Sequence, residues 1–338
     1  FRLFNNRLWG DFNYYTRDDK DQIISVTSAP QSGYSTRKMN AGLIRNRGVE
    51  LSLGGMPVST KNWKWEMNFN IAKNSNKLVE LADGVDSYSI YWTSFTTRLY
   101  NYAMVGKSLG VITGNTWERD DNGNIIFHEL SASQKALYGG EYVPTYNQNT
   151  LDELGNFHPD FTGGFNTSIS FKNFRLSANI DFSVGGQIVS YTNMWGSSSG
   201  ILDKTAELND RGVNVREPVS KGGGIHMTGV DQDGNKVDTY VNAKLYYTTA
   251  SRVWEEWVYD RTYVKLREVS LSYVFPSQTL KKLNIGLSRA SVAINASNPW
   301  LIYSACPNVD VSEIGMGYFE GGNAAATRSI GFTVNLAF

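Results

Sequence analysis

Cysteine is nearly missing from this chain. Its 338 residues include one Cys (Cys306), three His and eight Pro. A single thiol excludes an internal disulfide framework and any zinc site built on cysteines. His128, His158 and His226 stand far apart, without the H-E-x-x-H spacing of a catalytic zinc helix. No metal and no cofactor is therefore expected. Charge is also sparse, at 19% of residues against roughly 25% in an ordinary soluble domain. The 32 basic and 32 acidic side chains balance, which gives no electrostatic ground for nucleic-acid binding. Long apolar runs are missing too. The stretch 290–309 carries no charge, but its three Asn, three Ser and two Pro make it too polar for a membrane-spanning helix of roughly 20 residues. The chain opens on Phe1 with neither Met nor a signal peptide, as a processed or truncated product would.

What is plentiful is glycine, with 32 residues, and aromatics, at 13%. At 41%, the hydrophobic content can bury a large surface and excludes a disordered chain. A length of 338 suggests two domains at roughly 100–200 residues each, although β-barrels routinely exceed that size.

The apolar residues are arranged with period two. Phe165, Thr167, Ile169 and Phe171 alternate with Asn166, Ser168 and Ser170; after Lys172-Asn173 the apolar parity switches to Phe174, Leu176, Ala178, Ile180 and Phe182. A two-residue hairpin sets its flanking residues opposite each other on one face, so this switch predicts a tight turn at Lys172-Asn173. The same alternation runs through Trp63, Trp65, Met67, Phe69 and Ile71, through Val49, Leu51 and Leu53, and through Val269, Leu271, Tyr273 and Phe275. It marks Leu8, Phe12 and Tyr14 near the start and Ile330, Phe332, Val334, Leu336 and Phe338 at the end. Helical spacing fits none of these windows, and about nine long strands are expected in an all-β chain.

A soluble β-sandwich shows the same alternation. Three features favour a transmembrane barrel. The strands run to about ten residues or more, against a usual five or six. Short turns at Asn5-Asn6, 60–62, Lys172-Asn173 and 276–282 alternate with long connections near 18–42, 75–158, 191–260 and 298–326, the asymmetry of barrels with short periplasmic turns and long extracellular loops. Trp63, Trp65, Phe171, Phe174, Phe275 and Phe338 cluster beside the short turns, where an interfacial aromatic girdle lies. Nine strands in an open sheet would leave unpaired backbone groups in hydrocarbon at several kcal/mol each. Further strands are therefore expected, either upstream on a longer polypeptide or from another chain.

Several segments resemble the C-terminal barrel of SusC-like TonB-dependent outer-membrane transporters. They are Asn46-Arg47-Gly48-Val49-Glu50-Leu51, the run Pro159-Asp160-Phe161-Thr162-Gly163-Gly164-Phe165, Lys172-Asn173-Phe174, and Tyr263 to Tyr273 followed by Pro276. Leu3-Phe4-Asn5-Asn6-Arg7-Leu8 with Tyr14-Tyr15, and the terminal Phe338, resemble that family as well. The resemblance implies that residues 1–338 form the C-terminal portion of an outer-membrane, multi-pass antiparallel barrel of about 22 strands. The N-terminal plug, the TonB box and the early strands lie outside this sequence. It further implies a SusD-like surface lipoprotein over the barrel mouth, energy from the TonB complex through the plug, contact with membrane lipid, and import of a glycan or oligopeptide. The segment from Asn298 to Asp310 departs from the Tyr-x-Gly-x-Asp-Pro run frequent in the family. No enzymatic activity is implied. The alternative is a structural or adhesive surface barrel that holds a protein partner with its aromatic loops, and a soluble glycan-active enzyme ranks last.

Binding residues on a rigid β scaffold usually sit in long loops. Tyr88, Tyr91, Trp92, Phe95, Tyr100, Tyr102 and Trp117 crowd one loop; Tyr191, Trp195, Trp254, Trp257 and Tyr259 crowd another. Aromatic faces stack on sugar rings and their polar tips bond hydroxyl or peptide groups, so Trp92, Trp195, Tyr91 and Trp117 are the candidate substrate contacts. Gly196 to Gly200 matches G-x-S-x-G, but no helical pattern follows it and a flexible loop is expected. Gly106-Lys107-Ser108 lacks the leading Gly of a phosphate loop, because Asn101 takes its place. Asp120-Asp121-Asn122-Gly123-Asn124 and Asp231-Gln232-Asp233-Gly234-Asn235 resemble calcium-loop fragments without the closing Glu, and read better as hairpin turns. Nothing in the sequence brings two carboxylates together for acid–base work, Glu255-Glu256 included. Cys306 is expected as a packed thiol. Phe338, ending an alternating strand, resembles the barrel-assembly signal.

Overall fold

In a computed structural model of the chain, the described residues are 1–27, 36–40, 42–93, 98–148, 151–283, 286–314, 317–321 and 326–338. A nine-stranded antiparallel sheet forms one wall. Its strands are β1 (Arg2–Leu3), β2 (Leu8–Lys20), β3 (Leu43–Ser59), β4 (Trp63–Glu80), β5 (Phe161–Phe171), β6 (Phe174–Val184), β7 (Tyr263–Val274), β8 (Arg289–Ser304) and β9 (Ser329–Ala337). Each pairs with its neighbour in sequence, so the wall is a simple up-and-down meander, the topology of a barrel wall. With 17, 18 and 16 residues, β3, β4 and β8 far exceed a typical strand.

Register makes the alternation two-faced. Val58, Trp65, Ile169, Leu176, Leu271, Ile294 and Phe332 are successive partners across β3 to β9. A parallel row on the other face runs Asn68, Asn166, Asn179, Glu268 and Ser297. The apolar face is open: Phe332 is 68% and Ile330 82% exposed. Each such side chain gains roughly 1.5–3 kcal/mol when removed from water. A wall with this face turned to lipid satisfies its chemistry; the same face in water does not. At the short-turn end Trp63 and Phe171 lie 4.3 Å apart between ring centres, and Phe174 and Tyr273 4.7 Å, as the girdle reading expects. The one indole N–H on this face with a described partner, that of Trp65, donates to Thr167 Oγ1 at 2.9 Å.

The Lys172-Asn173 turn is where the parity switch placed it. Phe171 pairs with Phe174, Lys172 takes φ 53°, and Asn173 Nδ2 donates to the Val274 carbonyl at 2.6 Å. The connection begun by Pro276 is longer than a short turn. It runs through helix Ser277–Leu283 before β8 starts at Arg289, because Leu280 finds a buried seat there.

The long connections lie at the opposite end, and three of them, after β4, β6 and β8, pack together as a layer over the wall. Strands Ser87–Thr93, Leu99–Met104, Val111–Gly114 and Asp152–Asn156 make a four-stranded sheet. Helices α1 (Ala132–Tyr138), α2 (Tyr191–Ser198) and α3 (Ala243–Ala250) pack nearby. Trp117, Tyr191, Met194, Tyr247, Trp254 and Trp257 share one buried cluster with Leu99 and Ile112. The Gly196–Gly200 run is not a flexible loop: it closes α2, whose N-terminus Ser190 caps by accepting from Asn193 N. Two partners override the weak local helix signal. Leu202 packs against Gly196, and the buried Glu320 accepts from Ser190 Oγ at 2.9 Å and Thr192 N at 3.1 Å.

Candidate functional site

The inner wall is built from the polar parity. Where β3, β4, β5 and β6 run side by side, Asn68, Asn166 and Asn179 lie next to one another, flanked by Glu66 and Glu268. With Trp9 and Arg175 they line a groove of about 410 Å³. Trp9 can lean over the groove because Gly54 sits opposite it: a Cβ there would fall 2.1 Å from Trp9 Nε1. Arg175 Nε donates to Ser168 Oγ at 2.8 Å, and Lys64 pairs with Glu66 at 2.7 Å. Amide side chains carry both donors and acceptors, so this surface can hydrogen-bond a hydroxylated or amide-bearing chain passing along it.

A bulge ties the loop layer to this wall. Between Leu266 and Glu268 the register shifts on both sides of β7, leaving Arg267 as the extra residue. Parity flips there. Val264 and Leu266 share the outer face with Val269 and Leu271, while Lys265 and Glu268 both point inward. Lys265, its side chain only 2% exposed, donates to Asp310 Oδ2 at 2.7 Å, Ser312 Oγ at 3.0 Å and Glu313 Oε1 at 2.8 Å. Arg267 grips Asp181 through two bonds of 2.8 and 3.0 Å and also reaches Glu313. Burial raises the Asp310 carboxyl, but the bonds from Lys265 and Ser312 outweigh it and hold the group below its ordinary value. Removing one partner of such a buried pair costs about 3–5 kcal/mol, so segment 305–313 is fastened firmly to the inner wall. Nothing in the simple alternation signals this seam except the two cations inside the Tyr263–Tyr273 run.

The candidate contacts fare differently. Trp117 is 2% exposed: its indole donates to Glu256 Oε1 at 2.6 Å and its backbone N–H to Glu255 Oε2 at 3.1 Å. Glu255 also forms a two-point pair with Arg119 at 2.7 and 3.0 Å. The adjacent carboxylates that looked idle are thus the clamp on Trp117, and burial beside Glu256 lifts the Tyr246 phenol well above its usual range. Trp254 and Trp257 are core residues as well, not loop surface. Trp195 stands on α2 at 41% exposure. Tyr91 and Trp92 belong to strand Ser87–Thr93, but their side chains lie outside the described residues, as does Phe95. Phe338 is 87% exposed after β9.

Both segments, 120–124 and 231–235, are turns. Asp120 Oδ1 accepts from the backbones of Asn122 and Asn124, and Asp231 Oδ1 from Asp233 and Asn235. Cys306 is buried and its thiol is pushed up to about 12, chiefly by desolvation. His226 is less isolated than it looked. Its ring lies 2.7 Å from Asp210 and 2.8 Å from Asp238, stacked on Tyr240.

No protein-family profile matches the chain. It is 28% identical over 316 residues to TonB-dependent receptor P3 of Formosa agariphila, covering 91% of this chain and 29% of that protein. It is 31% identical over 197 residues to TonB-dependent receptor SusC of Bacteroides thetaiotaomicron, covering 56% and 19%. The structure of the RagAB peptide importer in its closed-closed state superposes with TM-score 0.70 at 19% identity, over 100% of this chain and 34% of that one. The chain thus spans about a third or less of the length of these proteins. The likeness read from its motifs is matched in sequence: the chain is similar to TonB-dependent receptors along 91% of its length, to SusC along 56% of it, and it shares its fold with about a third of the RagAB structure.

Proposed function

We propose that this chain is part of an outer-membrane importer that takes up a glycan or oligopeptide by TonB-dependent transport. The observation that carries the proposal is the two-faced wall, with an amide-lined inner surface and an open apolar outer one, roofed at one end by a folded loop layer. Such a wall separates lipid from a water-filled path. Both outermost strands, β1 and β9, have one unpaired edge among the described residues, and hydrocarbon tolerates no open edge, so further strands complete the barrel. By analogy with the SusC-like relatives, a plug domain receives energy from TonB and a SusD-like lipoprotein closes the mouth. Residues 1–338 then supply the C-terminal wall. Trp195, Trp92 and Tyr91 serve as substrate contacts, Trp117 acts by holding the loop layer in shape, and Phe338 doubles as the assembly signal.

The test uses the full-length protein in its own membrane. Deleting the gene abolishes uptake of a labelled oligopeptide or oligosaccharide pool, collapse of the proton-motive force does the same, and Trp195→Ala lowers uptake without lowering the amount of folded barrel. Unchanged uptake of both pools after deletion contradicts import.

A further inference from the structure

Above the apolar rows, the outer face of β2, β3 and β4 changes character abruptly. Phe12, Leu51 and Ile71 are cross-strand partners in the last fully apolar row. One step towards the long loops the row reads Tyr14, Val49, Lys73; the next reads Thr16, Arg47, Ser75; the next Asp18, Arg45, Lys77; and Lys20 ends β2. Lys20, Arg45, Arg47, Lys73 and Lys77 therefore share this face with two carboxylates, Asp18 and, beyond a bulge, Glu80. Arg45 pairs with Asp18 through two 2.8 Å bonds. Arg47, Lys73 and Lys77 are exposed and form no ion pair among the described residues.

Arg47 sits diagonally between Lys73 and Lys77, about 7–8 Å from each by strand geometry, and Arg45 lies directly opposite Lys77. Like charges so placed repel, and the fold keeps them with too few acids to balance them. Towards the same end of β5 to β8, Phe161 and Val184 stand in the Lys73 row, Phe182 and Val264 continue the Ile71 row, and Leu266 and Trp300 lie one row below it, all uncharged. Among the described residues of the wall, the outward cations at this end stand on β2, β3 and β4, directly above the surface that acyl chains would cover. Lys73 lays its ammonium 4.9 Å from the centre of the Phe161 ring, the posture of a lysine reaching from an apolar surface to a polar boundary.

We propose that this sector binds the phosphate-bearing headgroup of a lipid in the leaflet on the long-loop side. Arg47 offers a planar fork suited to two phosphate oxygens, Lys73 and Lys77 supply point charges on either side, and the acyl chains lie against Phe12, Leu51 and Ile71. The apolar half of the site is what commits it to a lipid, because a free phosphate would leave that surface unused. The site requires the barrel wall and asks nothing of transport.

The full-length protein, purified in non-ionic detergent, is mixed with phosphorylated lipid A and with the same lipid A dephosphorylated, and retained lipid is counted by native mass spectrometry. The unmodified protein retains the phosphorylated form by roughly tenfold or more over the other. The combined Arg47→Gln, Lys73→Gln, Lys77→Gln variant loses that preference while keeping heat-modifiable migration, and Arg175→Gln on the inner wall retains it. Two measurements stand even if the triple variant fails to fold: Arg47→Lys, which keeps the charge and loses the fork, lowers the preference but less than Arg47→Gln does, and about 0.5 M sodium chloride weakens it in the unmodified protein. Equal retention of the two lipids, a preference unmoved by salt, or displacement by inorganic phosphate as effective as by lipid overturns the proposal.

Discussion

Wall and loop layer use the same large side chains in opposite ways. On the wall, Phe332 and Ile330 stand open on a face with no protein partner, and adjacent strands meet only through backbone bonds and rows of side chains. In the loop layer, Trp254 and Trp257 are sealed inside a cluster drawn from three separate connections. The wall is an ordered surface whose core is the solvent around it; the loop layer is a small globular body with a core of its own. Aromatic content alone therefore says nothing about exposure, and the arrangement decides it.

The largest expected effect comes from breaking the loop layer without touching the wall. Trp254→Ala removes a fully buried indole and should cost the layer about 3–5 kcal/mol. Limited proteolysis of the full-length protein in detergent should then cut within 185–262, while heat-modifiable migration, a property of the closed wall, stays intact. Simultaneous loss of both would mean that the two regions fold as one unit.

The second break targets the wall's two faces. Val269→Arg places a charge in the apolar rows about midway between the short-turn girdle and the Lys73 row and is expected to cost about 2–4 kcal/mol near the bilayer midplane. Ser270→Arg, one residue away on the inner face, should cost little. Urea unfolding from liposomes compares them, and equal destabilisation would erase the distinction between the faces.

These two regions also differ in how far the sequence alone reveals them. Period-two alternation is local, so Phe165 to Phe182 announces its strands, its turn and its faces without any distant information. The Arg267 bulge escaped because one inserted residue flips parity, and Lys265 then looks like an outlier rather than an inward anchor. The burial of Trp117 and Trp254 depends on contacts more than a hundred residues apart, such as Trp117 with Glu256. No window of neighbours carries that. Helix α2 was hidden by its Gly and Ser content, since its stability comes from Glu320 and Leu202 rather than from its own propensity.

A smaller effect distinguishes the exposed edge of the loop layer from its core. Hydrogen bonding to Asp238, with help from Asp210, raises His226 above its ordinary value against the opposing effect of desolvation. A raised folded value means that the charged bridge between segment 209–214 and the hairpin of strands Ile225–Val230 and Lys236–Val241 is fully formed below about pH 6.5 and fades as pH climbs through the folded pKa. Amide exchange in 209–214 should accelerate beyond its intrinsic rise as the pH is raised from about 6.5 through the raised His226 pKa, and His226→Gln should remove that excess. The core around Trp254 should not respond.

The most direct test of the two-faced wall is a nitroxide scan along β6 and β7 in a Cys306→Ser background, with the full-length protein in lipid bilayers. Positions 174, 176, 178, 180, 269, 271 and 273 should be accessible to oxygen dissolved in lipid. Positions 175, 177, 179, 268, 270 and 272 should be accessible to a water-soluble nickel chelate or shielded by protein, and the phase should invert across Arg267. Uniform accessibility to the aqueous reagent at both parities would contradict the account.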